Sequence, residues 1–296
     1  MKKEIRIKDP LSDRIFYVLI NILLVLFSLT VLYPLIYIVS SSFSSGVAVS
    51  AGRVLLWPVD PSIDGYRAVF SYARIMMGYR NTILYTVFGT VINVVLTLIT
   101  AYPLAMPGFQ FKRGYLFIFT FTMFFSGGLV PSYLLMSNLK LIDTVWVMLI
   151  PGALSVYNMI VTRTFFQNSL PVELLEASQI DGCTWTGYFF RVVLPLSKAI
   201  IAVITLYYAV GHWNSYFGAL IYLNSRALHP LQIVLREILI VNSMDALDIE
   251  TETAQATMRD LIKYALIVVS TVPILCLYPF VQKYFMKGVM IGSIKG

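Results

Sequence analysis

Between Arg14 and Arg53 the chain carries not one charged residue. About 20 consecutive apolar residues suffice to cross the hydrocarbon of a bilayer, and a charge placed there costs several kcal/mol. Five more stretches share the pattern. The predicted spans are residues 15–39, 83–106, 114–136, 145–162, 199–223 and 264–281. None holds an Asp, Glu, Lys or Arg. The fourth is the shortest and contains Pro151-Gly152, a pair that breaks helices. Composition agrees: only 12% of the 296 residues are charged and 58% are hydrophobic, where a soluble domain carries about 25% charge. The first apolar run is too long for the core of a cleaved signal and lacks a small-residue cleavage pattern, so it is read as a retained anchor.

An even number of spans puts both termini on one side. That side then holds 13 of the 22 Lys and Arg residues, concentrated in short segments, and this bias predicts cytoplasmic termini. The net charge of +7 is thereby explained by topology, and no nucleic-acid partner is expected. Cys183 and Cys276 fall at different depths, which argues against a disulfide.

Several chemistries are missing. The chain has no phosphate-cradling G-x-x-x-x-G-K-[ST] loop and no nucleophile elbow, and His212 and His229 have no partners at metal-ligand spacing. No metal site, no cofactor and no catalytic residue are expected. Ion-driven carriers commonly place an ionisable group or broken-helix site near mid-membrane, and no such carboxylate is present. The chain is a poor candidate for a self-powered proton symporter, and its energy is expected to arrive from elsewhere. A self-sufficient carrier is the rival reading.

The segment "PVELLEASQIDGCTWTGYFFRVVLP", Pro171 to Pro195, has more internal detail than a connection needs. Pro171 and Glu173 suit a first helical turn, Gly182 is placed to end that helix with positive φ, and Thr184 can cap a second helix over residues 185–193. Leu174, Ala177 and Ile180 or Asp181 give the first helix a small, partly apolar face. An amphipathic linker resting on headgroups fits this pattern as well as a docking device does.

Glu176-Ala177-Ser178, Asp181-Gly182 and Val192-Val193-Leu194-Pro195 resemble the E-A-A-x-x-x-G-x(9)-I-x-L-P loop of ABC-importer permeases, with Ser178 for the second alanine and Val192 for the isoleucine. "AYPLA", "FFSGGLVPSYLL", "YAVGHWNSYF", "HPLQIVLREIL" and "YPFVQKYFMKGVMIGSIKG" extend the resemblance over nearly the whole chain. They are similar to the carbohydrate-uptake class, above all to its complex-oligosaccharide, lipoprotein-associated branch, which is related to the smaller permease of the maltose transporter. The resemblance implies an all-α membrane protein of six transmembrane helices in one domain, residues 1–296, with the ABC type I importer permease fold. It assigns residues 163–198 to a cytoplasmic coupling-helix loop, 224–260 to an external loop and 282–296 to a cytoplasmic tail.

The function implied is that of a non-catalytic permease subunit in a bacterial cytoplasmic membrane. It works with a second homologous permease, two ATPase subunits that bind the ATP and Mg, and an extracytoplasmic solute-binding protein. The expected substrate is an oligosaccharide, with a non-sugar solute as the alternative. The ATPase-coupling residues implied are Glu173, Glu176, Ala177, Ser178, Asp181, Gly182, Leu194 and Pro195, together with Gly292, Ser293 and Lys295 of the tail.

Two further groups are candidates. Asp245, Asp248, Glu250 and Glu252 make a negative patch that could dock the binding protein, or simply a solvated cap. Phe124, Tyr133, Tyr157, Asn158, Tyr207, Trp213, Asn214 and Tyr216 could line a sugar path, because rings stack on sugar faces and amides bond hydroxyls. Helix packing accounts for each of them singly at least as well. His212 is expected to bond a neighbouring helix as a neutral imidazole, and Ser126-Gly127-Gly128 to allow close packing or a break.

Overall fold

The structure is a computed structural model and describes residues 10–238, 261–276 and 279. All the regular structure described is helical. The described residues divide into two compact units, one of residues 10–71, 238 and 261–269, the other of residues 72–237, 270–276 and 279.

In the first unit, α1 (Leu11–Ser42) follows from the charge-free run. Its 32 residues rise about 48 Å at 1.5 Å per residue, more than a bilayer core requires. Every side chain from Leu11 to Ile36 is exposed, so this largely apolar helix is long enough to cross a bilayer and is left uncovered by the rest of the described chain. It ends in a serine-rich knot. Ser40 Oγ donates to the Leu56 carbonyl at 2.6 Å, and Ser42 Oγ lies 2.8 Å from the Tyr66 hydroxyl. The knot carries α2 (Gly46–Ser50) and α3 (Asp64–Ser71) over a small core of Ala48, Val49 and Val54.

The second unit is organised around α4 (Ala73–Ala105), about 50 Å long. Small and polar residues recur every three to four positions on its buried face: Gly78, Thr82, Tyr85, Gly89, Asn93, Thr97 and Ala101. Lipid tails are as apolar as leucine, so helices in a membrane associate through close packing and interhelical hydrogen bonds, and this stripe supplies both. The opposite face, with Ile83, Val87, Phe88, Val91, Val95 and Ile99, is exposed.

After it come α5 (Lys112–Phe124), α6 (Leu129–Asn138), α7 (Trp146–Leu149), α8 (Val156–Ser169), α9 (Val172–Ile180), α10 (Trp185–Tyr188), α11 (Leu194–Leu196), α12 (Lys198–Trp213), α13 (Phe217–Tyr222) and α14 (Leu231–Arg236). The helix Leu261–Cys276 is the last described. α12, α8 and α14 pack on α4.

The predicted span limits change in instructive ways. α4 begins ten residues before residue 83, because Arg74, Arg80 and Asn81 extend the helix past its apolar part. The third span is broken: the chain bends by 112° between α5 and α6 across Phe125–Gly128, where Gly128 takes φ +85°. The fourth is split at Pro151-Gly152 into α7 and α8, and α8 continues to Ser169. The fifth is interrupted at Asn214–Tyr216 between α12 and α13. Among the described residues two helices are long and apolar enough to cross a membrane, or up to four if each bent pair is one span.

Candidate functional site

The Pro171–Pro195 elbow is built from local backbone chemistry. Pro171 stands just outside α9 as its N-cap residue rather than inside the first turn, and Glu173 lies within that turn. At the other end Gly182 N donates to the Gln179 carbonyl at 3.0 Å and Cys183 N to the Ser178 carbonyl at 2.9 Å. These paired bonds make a Schellman terminus, and they require the left-handed φ of +73° that Gly182 adopts. Thr184 Oγ1 then accepts from Gly187 N at 3.1 Å and caps α10. A π-helical turn, Phe189–Val193, leads into α11, which holds Leu194 and Pro195. The chain bends by 80° at buried Ser197 to enter α12.

One row of side chains fastens the elbow to the bundle. Leu175, Tyr188, Phe189 and Val193 are buried in a core with Leu98, Ala101, Leu104, Phe166 and Ile200. Tyr102 of α4 adds a bond from its hydroxyl to the Trp185 carbonyl at 2.8 Å and sets its ring 4.8 Å from that of Phe189. The opposite row is open. Glu173, Glu176, Ala177 and Asp181 are exposed, Ser178 is half-buried, and Ile180 is 87% exposed. Ile180 is thus a large apolar side chain left exposed beside the carboxylates of Glu176 and Asp181.

A second arrangement joins α4 to α12. His212 Nε2 lies 2.7 Å from Asn93 Oδ1, and Asn93 Nδ2 donates to the carbonyls of Gly152 and Ala153 at 3.2 and 2.8 Å. One turn away, Thr97 Oγ1 and the Tyr208 hydroxyl are 2.7 Å apart, and that hydroxyl accepts from Ser155 N. Gly89 makes room for the imidazole, since a Cβ there would sit 2.4 Å from the ring. The predicted histidine–helix bond is therefore present, with Asn93 as partner. An open cavity of about 280 Å³ lies beside this seam, lined by Asn93, Tyr207, Tyr208, His212, Ser215 and Tyr222 among others.

Of the eight candidate sugar-path residues, Tyr207 lines that cavity. Tyr133 stacks on Tyr222, with ring centroids 6.1 Å apart. Trp213 is 7% exposed, donates from Nε1 to the Ser270 carbonyl at 3.0 Å and meets Tyr79 edge-on, which is a packing role. Asn158 is buried, whereas Phe124 and Tyr157 are exposed away from the cavity lining. Asn214 and Tyr216 lie together in the break after α12. Asn93 and Tyr208 escaped sequence reasoning, which looked for aromatics and amides within spans but had no register between them.

At the other end of α4, part of the predicted external loop packs on that helix, with residues 230, 231 and 233–235 buried. Asn81 Nδ2 donates to the carbonyls of Ala227 and His229, Tyr85 OH to that of Leu228, and Leu231 N donates to Thr82 Oγ1. Asp143 accepts from Asn224 N and Ser225 N at 2.9 and 2.8 Å and from the Ser225 hydroxyl. These bonds, the Ser225 hydroxyl first, hold its carboxyl below the usual carboxylate range. Arg74 pairs with Glu237. Asp245, Asp248, Glu250 and Glu252, like Gly292, Ser293 and Lys295, lie outside the described residues. Among the described residues no group of three or more His, Cys, Asp or Glu could hold a metal ion.

A family model for the binding-protein-dependent transport system inner membrane component matches residues 73–291. The chain belongs to this family. A permease protein of the polygalacturonan/rhamnogalacturonan transport system of Bacillus subtilis (strain 168), YtcP, is 39% identical over 97% of this chain and 100% of its own length. Protein LplC of the same organism is 41% identical over 89% of each chain. A chain in the crystal structure of a bacterial ABC transporter involved in import of the acidic polysaccharide alginate superposes with a TM-score of 0.86 at 37% identity. The match covers 94% of this chain and 99% of that one. The protein is thus a membrane component of an ABC importer, with the fold of such permeases.

Proposed function

We propose that this chain is one of two membrane-spanning subunits of an ATP-driven importer of oligosaccharides, and that the Pro171–Pro195 elbow receives work from a separate ATPase. In this reading six membrane crossings, some of them bent, place both termini and the elbow in the cytoplasm. Two ATPase subunits bind the ATP and Mg, a second permease completes the pathway, and an external binding protein delivers the sugar. Closure of the ATPase pair pushes α9, and the push reaches α4, α8 and α12 through Leu175, Tyr188 and Val193. The bundle rocks between two states whose balance is set by differential binding.

The observation that carries this reading is the two-sided elbow. One row is locked into the core and the other offers Ile180 and three carboxylates to solvent. A headgroup linker has no use for a Schellman stop, a capped second helix and a hydrogen bond to the longest helix of the unit. The sugar assignment is supported by relatives named for polygalacturonan, rhamnogalacturonan and arabinooligosaccharide transport.

The test is reconstitution of the permease pair, ATPase and binding protein in vesicles, with Gly182→Val. No neighbour lies within 4 Å of a Cβ at Gly182, so the cost is conformational, roughly 1–2 kcal/mol for leaving a branched residue left-handed. The variant is expected to lose binding-protein-stimulated ATP hydrolysis together with uptake. Full stimulation in the variant removes the elbow from the coupling path, and transport by the purified chain alone removes the need for an ATPase.

A further inference from the structure

The break after α12 faces a stripe on α14 that sugar-path reasoning did not find. Within Leu231–Arg236 only Gln232 and Arg236 are not buried, and their four-residue spacing puts them on one face of the helix. The Arg236 guanidinium lies 5.9 Å from the centroid of the Tyr216 ring. Gln232 Nε2 is 3.5 Å from both Asn214 Oδ1 and the Trp213 carbonyl. Those contacts are at the long limit of a hydrogen bond, so the Gln232 amide is placed but loosely held, while Asn214 Nδ2 donates to the Val210 carbonyl at 3.0 Å and keeps its second N–H.

Charge decides what this cluster can bind. Glu237, the adjacent carboxylate, is taken by Arg74, and Asp143 is taken by Asn224 and Ser225. Among the described residues no carboxylate is within ion-pair distance of Arg236. Among the described residues, Arg74, Arg236 and Glu237 together carry one net positive charge on a half-buried surface. A planar guanidinium matches a carboxylate in two parallel hydrogen bonds, the Tyr216 face suits the apolar face of a pyranose ring, and the two amides suit its hydroxyls. A neutral sugar would use the ring and the amides but leave the guanidinium idle.

We propose that Arg236, Gln232, Asn214 and Tyr216 form a subsite for a uronic acid unit, so that the imported chain is an acidic oligosaccharide. This rests on the oligosaccharide-import reading and narrows it. Arg236 holds the carboxylate, and Tyr216 stacks beneath the ring while steadying the guanidinium.

The complete transporter in vesicles is given labelled trigalacturonate or its methyl ester, below saturation, and initial uptake is expressed as the ratio of acid to ester. Selection by the binding protein is common to all variants and cancels when their ratios are compared with that of the wild type. Arg236→Gln is expected to lower the ratio about tenfold, the scale of one charge-assisted hydrogen-bond pair. Arg236→Lys, which keeps the charge without the fork, should fall between. Co-purification with the ATPase shows that each variant assembles, and if Arg236→Gln does not, a lowered Arg236→Lys ratio supports the subsite and an unchanged one overturns it. An unchanged ratio in Arg236→Gln, or equal loss of both substrates as expected of a docking or packing residue, overturns the proposal and leaves the importer reading standing. Wild-type uptake of the ester in preference to the acid does the same. If the wild type imports neither, the uronic-acid proposal fails, and uptake of a neutral oligosaccharide by the same vesicles decides whether the oligosaccharide reading stands.

Discussion

Gly89→Ala tests whether the α4–α12 seam is a fitted joint. A Cβ built at Gly89 lies 2.4 Å from both Cε1 and Nε2 of His212 and 2.8 Å from Cδ2. Ordinary contact begins about 1 Å farther out, so the imidazole must move. It is not free to do so without loss, because Nε2 is bonded to Asn93 at 2.7 Å and Asn93 in turn holds the turn at Gly152-Ala153. Overpacking of this kind costs roughly 1–3 kcal/mol, and the sacrificed interhelical bond about 0.6 kcal/mol more. Alanine returns up to about 1 kcal/mol of helix propensity. The net expectation is destabilisation of about 1–2 kcal/mol, read as chemical or thermal unfolding of the purified complex in detergent. In a His212→Ala background the ring is gone, and the same Gly89→Ala change should become neutral or stabilising. That reversal of sign isolates the contact from general damage. If Gly89→Ala costs the same with and without the histidine, the helices are not registered by this contact and the reasoning is wrong.

The seam's neighbours give two further expectations. Trp213→Ala removes a ring that is 7% exposed and hydrogen-bonded to the Ser270 carbonyl, so it should cost about 3 kcal/mol or more in unfolding; a variant of unchanged stability that has lost only sugar uptake would return Trp213 to the pathway. Asp143→Asn weakens the clamp on Asn224 and Ser225 and should speed hydrogen exchange at those two amides at neutral pH. The depressed carboxyl gives the sign of the pH effect: its contribution is present above the ordinary carboxylate range and is lost only as pH falls through the lower, folded-state value. Wild-type exchange that already matched Asp143→Asn at pH 7 would contradict this.

The parts of the candidate site legible in the sequence are those whose physics is local. Gly182 after a helix, Thr184 before one and Glu173 in a first turn act on backbone groups within a few residues, and the structure shows the corresponding stop and cap. Bends were harder to read. Ser126-Gly127-Gly128 allowed either close packing or a break, and only the structure shows the break; Asn214–Tyr216 sits inside a run apolar enough to span, where hydropathy does not register a helix turning. Sidedness was illegible for a related reason. Hydropathy averaged over a span hides the small and polar stripe of α4, and even that stripe does not say which helix it meets until α12 supplies His212 and Tyr208 opposite Asn93 and Thr97.

By itself the sequence determined that the chain belongs in a bilayer and ends α9 at Gly182, because charge-free length and left-handed glycine are properties of short segments of chain. The tertiary structure alone decided which polar groups meet. Asn93 with His212, Asp143 with Ser225 and Arg236 over Tyr216 are pairs brought together from distant stretches of chain. Each partner has a polar group to satisfy, and only the folded bundle determines which other segment satisfies it.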